Sequence, residues 1–199
     1  MSLALKRLYL EAGRRVASTP ALAEFADWPE TPPARSQIPQ ILPVTAKIAA
    51  LSGDTFIEAI AAAAPEAAWR QTYTQAEVGR AYLDEYGWVE LLGPTGHFIT
   101  DELRAFVGFW GPALQYPAHS HPASEIYLVL KGSARFEVQG WTPRDAGPGE
   151  TVEIPGGATH AMKIGLQGLL VFALWKGTGI GEDAKLDAAR DDQPRKAAL

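Results

Sequence analysis

The residues that decide the fold are 119–125, with the sequence His-Ser-His-Pro-Ala-Ser-Glu, and 149–160, with the sequence Gly-Glu-Thr-Val-Glu-Ile-Pro-Gly-Gly-Ala-Thr-His. The two stretches contain three of the four histidines of the chain, and the first of them ends in a glutamate. Imidazole and carboxylate groups are the ligands that borderline divalent cations such as iron, manganese, zinc or nickel select. This concentration of ligand groups predicts a metal site and favours an enzyme.

Strand periodicity places these groups on one face. In an extended strand, residues of one parity point to the same side. Four residues of odd number fall in or beside the first stretch: His119, His121, Glu125 and Tyr127. Pro122 lacks a backbone donor, so we expect a bulge between His121 and Glu125. A later strand would bring His160 opposite these residues and close a coordination sphere inside a small barrel.

The rest of the barrel is predicted from apolar runs and turn residues. Lys131 and Gly132 are expected to turn the chain between a strand that starts at Glu125 and a returning strand at 134–139. Further strands are expected at 106–110, 151–154 and 168–175. Together they predict an antiparallel β-barrel from about residue 97 to 176.

The part before residue 97 is predicted to be mainly helical and to pack outside the barrel. Asp54 is expected to cap one of these helices, and a proline-rich linker at 28–43 interrupts them. We therefore divide the chain into a helical extension, 1–96, and a barrel with a short surface-helical tail after Gly177, 97–199. The helical stretches are expected at 3–17, 44–51, 54–64 and 69–90.

Composition excludes several classes of protein. The chain has 199 residues, a net charge of −5 and no cysteine. Because it has no cluster of lysine and arginine, we expect no nucleic-acid partner, and the absence of cysteine excludes disulfides and thiol catalysis. Residues 1–11 contain no long apolar segment, so we expect neither a secretory signal nor a membrane span, and a cytoplasmic protein.

Taken together, the two stretches resemble the motifs of the cupin superfamily, G-x5-HxH-x3/4-E-x6-G and G-x5-PxG-x2-H-x3-N. The chain departs from them at Gly111, which lies eight residues before His119 instead of six, and at Ile164, which replaces the terminal asparagine. Neither departure removes a metal ligand. The resemblance covers residues 105–176 and implies an all-β core, an antiparallel cupin barrel, with one bound divalent metal ion.

A narrower resemblance concerns residues 116–127, Tyr-Pro-Ala-His-Ser-His-Pro-Ala-Ser-Glu-Ile-Tyr, preceded by about 100 largely helical residues. This arrangement is similar to the cupin-type dimethylsulfoniopropionate (DMSP) lyases of marine bacteria. The similarity implies a carbon–sulfur lyase that cleaves DMSP to dimethyl sulfide and acrylate with Fe(II) or Zn(II). It assigns the metal to His121, Glu125, Tyr127 and His160, with Tyr116 and His119 lining the pocket and His119 as a further candidate ligand.

Such an elimination needs a base for a weakly acidic proton beside a carboxylate. A neighbouring cation favours the phenolate of a tyrosine, so we expect Tyr127 to be the base, with Tyr116 as the alternative. Each tyrosine could instead be a core aromatic residue. The cationic sulfonium could lie against Tyr116, Trp110 or Trp175.

Other functions remain open at this point. The same ligands would serve another metal-dependent cupin enzyme, such as a dioxygenase or an isomerase, or a cupin that only binds a small ligand. A regulator would need a DNA-binding module, and residues 1–95 lack a basic face. His97 lies outside the motif, and we expect a structural role for it. The sequence leaves open whether the chain forms a homodimer.

Overall fold

The computed structural model describes residues 2–186. Its N-terminal part is helical, as predicted. Asp54 caps α4 by accepting hydrogen bonds from the backbone amides of Phe56 and Ile57, which confirms its predicted role. The linker at 28–43 contains no helix. The helices are α1 (Leu3–Ser18), α2 (Pro20–Phe25), α3 (Thr45–Ala49), α4 (Thr55–Ala63), α5 (Gln75–Val78) and α6 (Arg80–Leu83).

The helical stretch expected at 69–90, giving way near Gly87, is only partly formed. Only the short helices α5 and α6 form there, because Gly79 between them has a φ of 80° that ends the first one. The sheet then begins at Tyr86, earlier than the expected residue 97. Trp88 and Val89 belong to this first strand, whose β-branched and aromatic residues favour extended backbone.

Within residues 2–186, eight strands form one antiparallel, curled sheet, which confirms the predicted barrel. The two longest strands, at 124–138 and 160–176, pair with each other along most of their length, and four of the shorter strands pair with their outer edges. The strands are β1 (Tyr86–Leu92), β2 (Leu103–Trp110), β3 (Gln115–Ser120), β4 (Ser124–Val138), β5 (Arg144–Ala146), β6 (Thr151–Ile154), β7 (His160–Lys176) and β8 (Lys185–Leu186).

The turn predicted at Lys131 and Gly132 is wrong, because β4 continues through both residues as a single strand that bends there. The pairing of β4 with β7 shifts register on either side of Gly132, as expected of a bulge that bends a strand. Gly132 has a φ of 75°, and a Cβ there would lie 1.9 Å from the backbone oxygen of Gly168. Only glycine fits this close approach of two bent strands.

The two faces of the sheet build two cores. Along β7, Leu170, Phe172 and Leu174 pack with the helices outside the barrel, whereas Val171 and Trp175 point into its interior. The period of two in the sequence thus separates a helix-covered face from the face that carries the site.

Two further expectations concern the ends and the boundaries of the chain. The surface helix expected after Gly177 is wrong as far as residue 186, where the chain forms turns and β8; residues 187–199 lie outside the described part. Within residues 2–186, no helix combines the length and the apolar character that crossing a membrane requires. The division into domains at residue 96 stays a prediction.

Candidate metal centre

Three strands bring the predicted ligands together. His119 is the last residue but one of β3 and pairs directly with His160, the first residue of β7. His121 lies in the short connection to β4, where the bulge at the proline was expected. Glu125 follows on β4, with Trp175 of β7 as its neighbour. The barrel therefore closes around residues that are distant in the sequence.

The three imidazoles of His119, His121 and His160 form one buried cluster. Each offers a ring nitrogen, and these nitrogens all lie within 4.8 Å of one another. All three side chains are almost fully buried. This spacing allows one ion to contact all three nitrogens at once.

The backbone fixes the tautomer of each histidine. Nδ1 lies within hydrogen-bond distance of a carbonyl oxygen two residues away in every case, at 2.8 Å for His119, 3.0 Å for His121 and 2.9 Å for His160. A carbonyl only accepts, so each Nδ1 carries the proton and donates it. Each Nε2 then presents a lone pair, which is the arrangement of metal-binding histidines.

Glu125 completes the cluster and requires a positive charge. Its Oε2 lies 3.1 Å from Nε2 of His121 and 3.3 Å from Nε2 of His160. Burial opposes the negative charge, but the two imidazoles, when Nε2 carries a proton, outweigh it and hold the pKa of Glu125 well below its usual range. Two lone-pair nitrogens and a carboxylate oxygen repel one another unless a proton or a metal cation lies between them.

The remaining donors fit a metal ion. Nε2 of His160 is buried and, although Oε2 of Glu125 lies 3.3 Å away, it makes no hydrogen bond of acceptable geometry within residues 2–186, which is costly for a group without a ligand. Burial, together with the neighbouring His160, lowers the pKa of His119 to about 3. Its imidazole is therefore neutral at pH 7 and free to donate its lone pair. A mixed nitrogen and oxygen set of this kind suits a borderline divalent cation.

Both predicted tyrosines lie beside the cluster and are buried. The ring of Tyr116 lies 4.4 Å from the imidazole of His119, centroid to centroid. The hydroxyl of Tyr127 lies where it can donate a hydrogen bond to Glu125. Burial raises the pKa of both tyrosines well above 10, and for Tyr127 the negative charge of Glu125 adds to the effect. These influences favour the neutral phenol, and a nearby positive charge would oppose them.

A cavity of about 490 Å³, including its open mouth, ends at this cluster. His119, Glu125 and both tyrosines contribute to its wall, whereas His121 and His160 do not line it. Five further aromatic side chains line it: Tyr86, Trp88, Phe106, Trp110 and Trp175.

Sequence reasoning missed several residues of this wall. Tyr86 and Trp88 belong to the stretch 69–90, for which helix was expected, whereas the structure places both on β1. Arg104 and Asp183 also line the cavity. Arg104 carried a signal, because an arginine within an apolar strand must find a buried partner.

His97 lies outside the cluster, as expected. Its Nε2 accepts a hydrogen bond from the backbone amide of Ala68 at 3.1 Å. Burial, with a smaller effect of Arg70, lowers its pKa to about 4. This histidine holds two backbone segments together and stays neutral at pH 7.

A curled antiparallel barrel around three converging imidazoles and a carboxylate defines a cupin with a candidate metal centre. The model of the dimethylsulfoniopropionate lyase family matches residues 14–171. The chain belongs to this family.

Individual relatives agree with the family match. Dimethylsulfoniopropionate lyase DddQ of Ruegeria pomeroyi is 34% identical over 184 residues, 87% of this chain and 90% of that protein. The crystal structure of DMSP lyase DddQ from the same species superposes with a TM-score of 0.88 at 32% identity, over 94% of this chain and 97% of the other. A chain from the crystal structures of the DMSP lyases RdDddP and RnDddQII gives a TM-score of 0.87 at 38% identity, over 93% and 98%. A putative dimethylsulfoniopropionate lyase DddL of Cereibacter sphaeroides is 27% identical, over 84% of this chain and 73% of that protein.

Proposed function

We propose that this chain is a metal-dependent carbon–sulfur lyase that cleaves DMSP to dimethyl sulfide and acrylate. The observation that carries the proposal is the convergence of three Nε2 lone pairs and Glu125 at the inner end of a cavity, beside two tyrosine hydroxyls. Membership in the DMSP lyase family supports the choice of substrate.

The ligands that we propose for the metal are His119, His121, Glu125 and His160, with Tyr127 as a further oxygen donor. We propose iron or zinc, since the site combines imidazole nitrogen with carboxylate oxygen. When bound, such a cation supplies a Lewis acid for the substrate carboxylate, stabilises an enediolate-like anion and favours the phenolate of a neighbouring tyrosine.

The base is a tyrosine. In the elimination, the tyrosine oxygen takes the proton from the carbon next to the substrate carboxylate. The bonding electrons form the double bond of acrylate, the carbon–sulfur bond breaks, and dimethyl sulfide leaves with the electron pair. We propose Tyr127 for this role, because its hydroxyl adjoins Glu125 at the inner end of the cavity. Tyr116, whose ring contacts His119, is the alternative.

The sulfonium end needs an aromatic surface and no acid, because the sulfide is already a good leaving group. Trp175 is poorly suited to this role, since its ring is stacked on His121 at 3.8 Å between centroids and also contacts Arg104. Trp110 and Tyr116, whose centroids lie 5.0 Å apart, remain as the surface for the sulfonium.

Purified protein loaded with Fe(II) or Zn(II) and incubated with DMSP tests the proposal. We expect dimethyl sulfide in the headspace and an equal amount of acrylate in solution. A matched sample treated with a chelator should lose this activity. Equal turnover after the metal is removed would contradict the metal-dependent mechanism. The cytoplasmic location and the homodimer stay predictions.

A further inference from the structure

Arg104 is a buried cation in the wall of the cavity. It lies on β2 with 3% of its surface exposed, among apolar neighbours in the sequence. Burying an unpaired charge costs several kcal/mol. The partners of Arg104 therefore show what the fold uses this charge for.

One side of the guanidinium is held by Glu90, a buried carboxylate on β1. Nε and Nη2 of Arg104 lie 3.0 and 2.9 Å from Oε2 of Glu90. Arg70 approaches the same oxygen at 3.3 Å from a more exposed position. The pairing neutralises Arg104 and fixes the plane of its guanidinium.

The other side of Arg104 holds the chain near its C-terminal end. Nη1 donates to the backbone oxygens of Ile180 at 3.2 Å and Glu182 at 3.0 Å. The next two residues, Asp183 and Ala184, line the cavity. We call residues 180–186 the C-terminal wall.

The C-terminal wall continues into the metal centre. Its last two residues form β8, which pairs with β3 at His119 and Ser120. Two paired residues are a weak attachment by themselves. The hydrogen bonds from Arg104 fasten the other end of the wall to the barrel.

Aromatic rings determine where the guanidinium lies. Its central carbon is 4.8 Å from the ring centroid of Phe106, 5.4 Å from that of Trp175 and 5.7 Å from that of Trp88. A planar group with several donors can stack on rings and bond in its own plane at the same time, which an ammonium group cannot do. The site therefore requires arginine, and lysine would retain the charge but lose most of the hydrogen bonds.

We propose that Arg104 is a positioning residue of the lyase, which holds the C-terminal wall against the cavity so that substrate is enclosed. Its effect on turnover rests on the proposed function, whereas its effect on the wall does not. Arg104 acts through backbone carbonyls of the wall and needs no contact with the reacting atoms.

The test compares Arg104→Met, Arg104→Lys and the matched control Arg70→Met. The control removes an arginine from the same glutamate but leaves the contacts with residues 180–183 intact. Hydrogen exchange of peptides covering 177–186, metal content, and KM and kcat for DMSP are measured for each protein.

We expect exchange in 177–186 to become about tenfold faster in Arg104→Met, with KM raised about tenfold and kcat reduced less. Arg104→Lys should give intermediate values, and Arg70→Met should resemble the wild type in both measurements. Metal content should stay at the wild-type level, because the strand pairing of Trp175 with Glu125 keeps the ring on His121.

Unchanged exchange in 177–186 of Arg104→Met would overturn the proposal, and so would equal effects in Arg70→Met or a loss of metal. A wild-type protein that releases no dimethyl sulfide would refute the proposed function instead. In that case, faster exchange in Arg104→Met alone would still support the fastening of the wall.

Discussion

Replacement of Tyr127 by phenylalanine removes one hydroxyl from the inner end of the cavity and leaves the ring in place. The ring is 4% exposed and packs against Phe136 at 5.5 Å between centroids, so its packing is retained. Loss of the hydroxyl, which lies close enough to donate to Glu125, should cost roughly 1 to 3 kcal/mol of stability. If Tyr127 is the base, kcat should fall about 100- to 10,000-fold, which corresponds to about 3 to 5 kcal/mol of activation free energy.

The assay is the rate of dimethyl sulfide release at saturating DMSP, with metal content and thermal unfolding measured on the same samples. Tyr116→Phe is the matched control, since it removes a buried hydroxyl from the same cavity. A Tyr127→Phe enzyme with more than about a tenth of the wild-type kcat would refute the assignment. A large loss in Tyr116→Phe alone would move the role of base to Tyr116, and normal activity in both would remove tyrosine from the mechanism.

Three further predictions test the site and the fold. His160→Ala should lose stoichiometric metal by elemental analysis, since the ligand set becomes incomplete; wild-type metal content would contradict the assignment. Gly132→Ala should lower the free energy of unfolding by at least about 3 kcal/mol, because its Cβ would meet the backbone of Gly168. Gly140→Ala, with a similar φ of 81° but open space around it, should cost only about 1 kcal/mol. His97 should make stability fall as the pH drops from 6.5 towards about 4, because only the unfolded chain takes up a proton in that window. When the pH is lowered from 7.5 to 5, the free energy of unfolding, measured with urea, should fall by about 1 to 2 kcal/mol less in His97→Gln than in the wild type.

The sequence predicted the barrel well because its strands follow a period of two. The prediction failed where the same residues are compatible with two local structures. Residues 69–90 contain helix-forming residues, but Gly79 ends α5 and the tertiary pairing with β2 draws Tyr86 into the sheet. Gly132 was interpreted as a turn because a glycine that reverses the chain and one that bends a strand look alike in sequence.

The metal centre was more predictable than the cavity above it. Three of the candidate ligands, His119, His121 and Glu125, are close in the sequence and share one parity, whereas His160 comes from a distant strand. The cavity wall depends on contacts between distant segments, such as Arg104 with residues 180–182. The periodicity of the sequence does not indicate which backbone carbonyls a buried arginine will contact. The cavity wall could therefore not be predicted without the structure.

We propose that a cation held by His119, His121, Glu125 and His160 enables this chain to cleave DMSP. The most direct measurement is dimethyl sulfide release by one protein preparation in three states: as purified, after removal of metal, and after addition of Fe(II) or Zn(II). We expect activity to disappear with the metal and to return in proportion to the metal bound, up to one ion per chain. Activity that does not follow metal content, or no dimethyl sulfide at full metal loading, would contradict the claim.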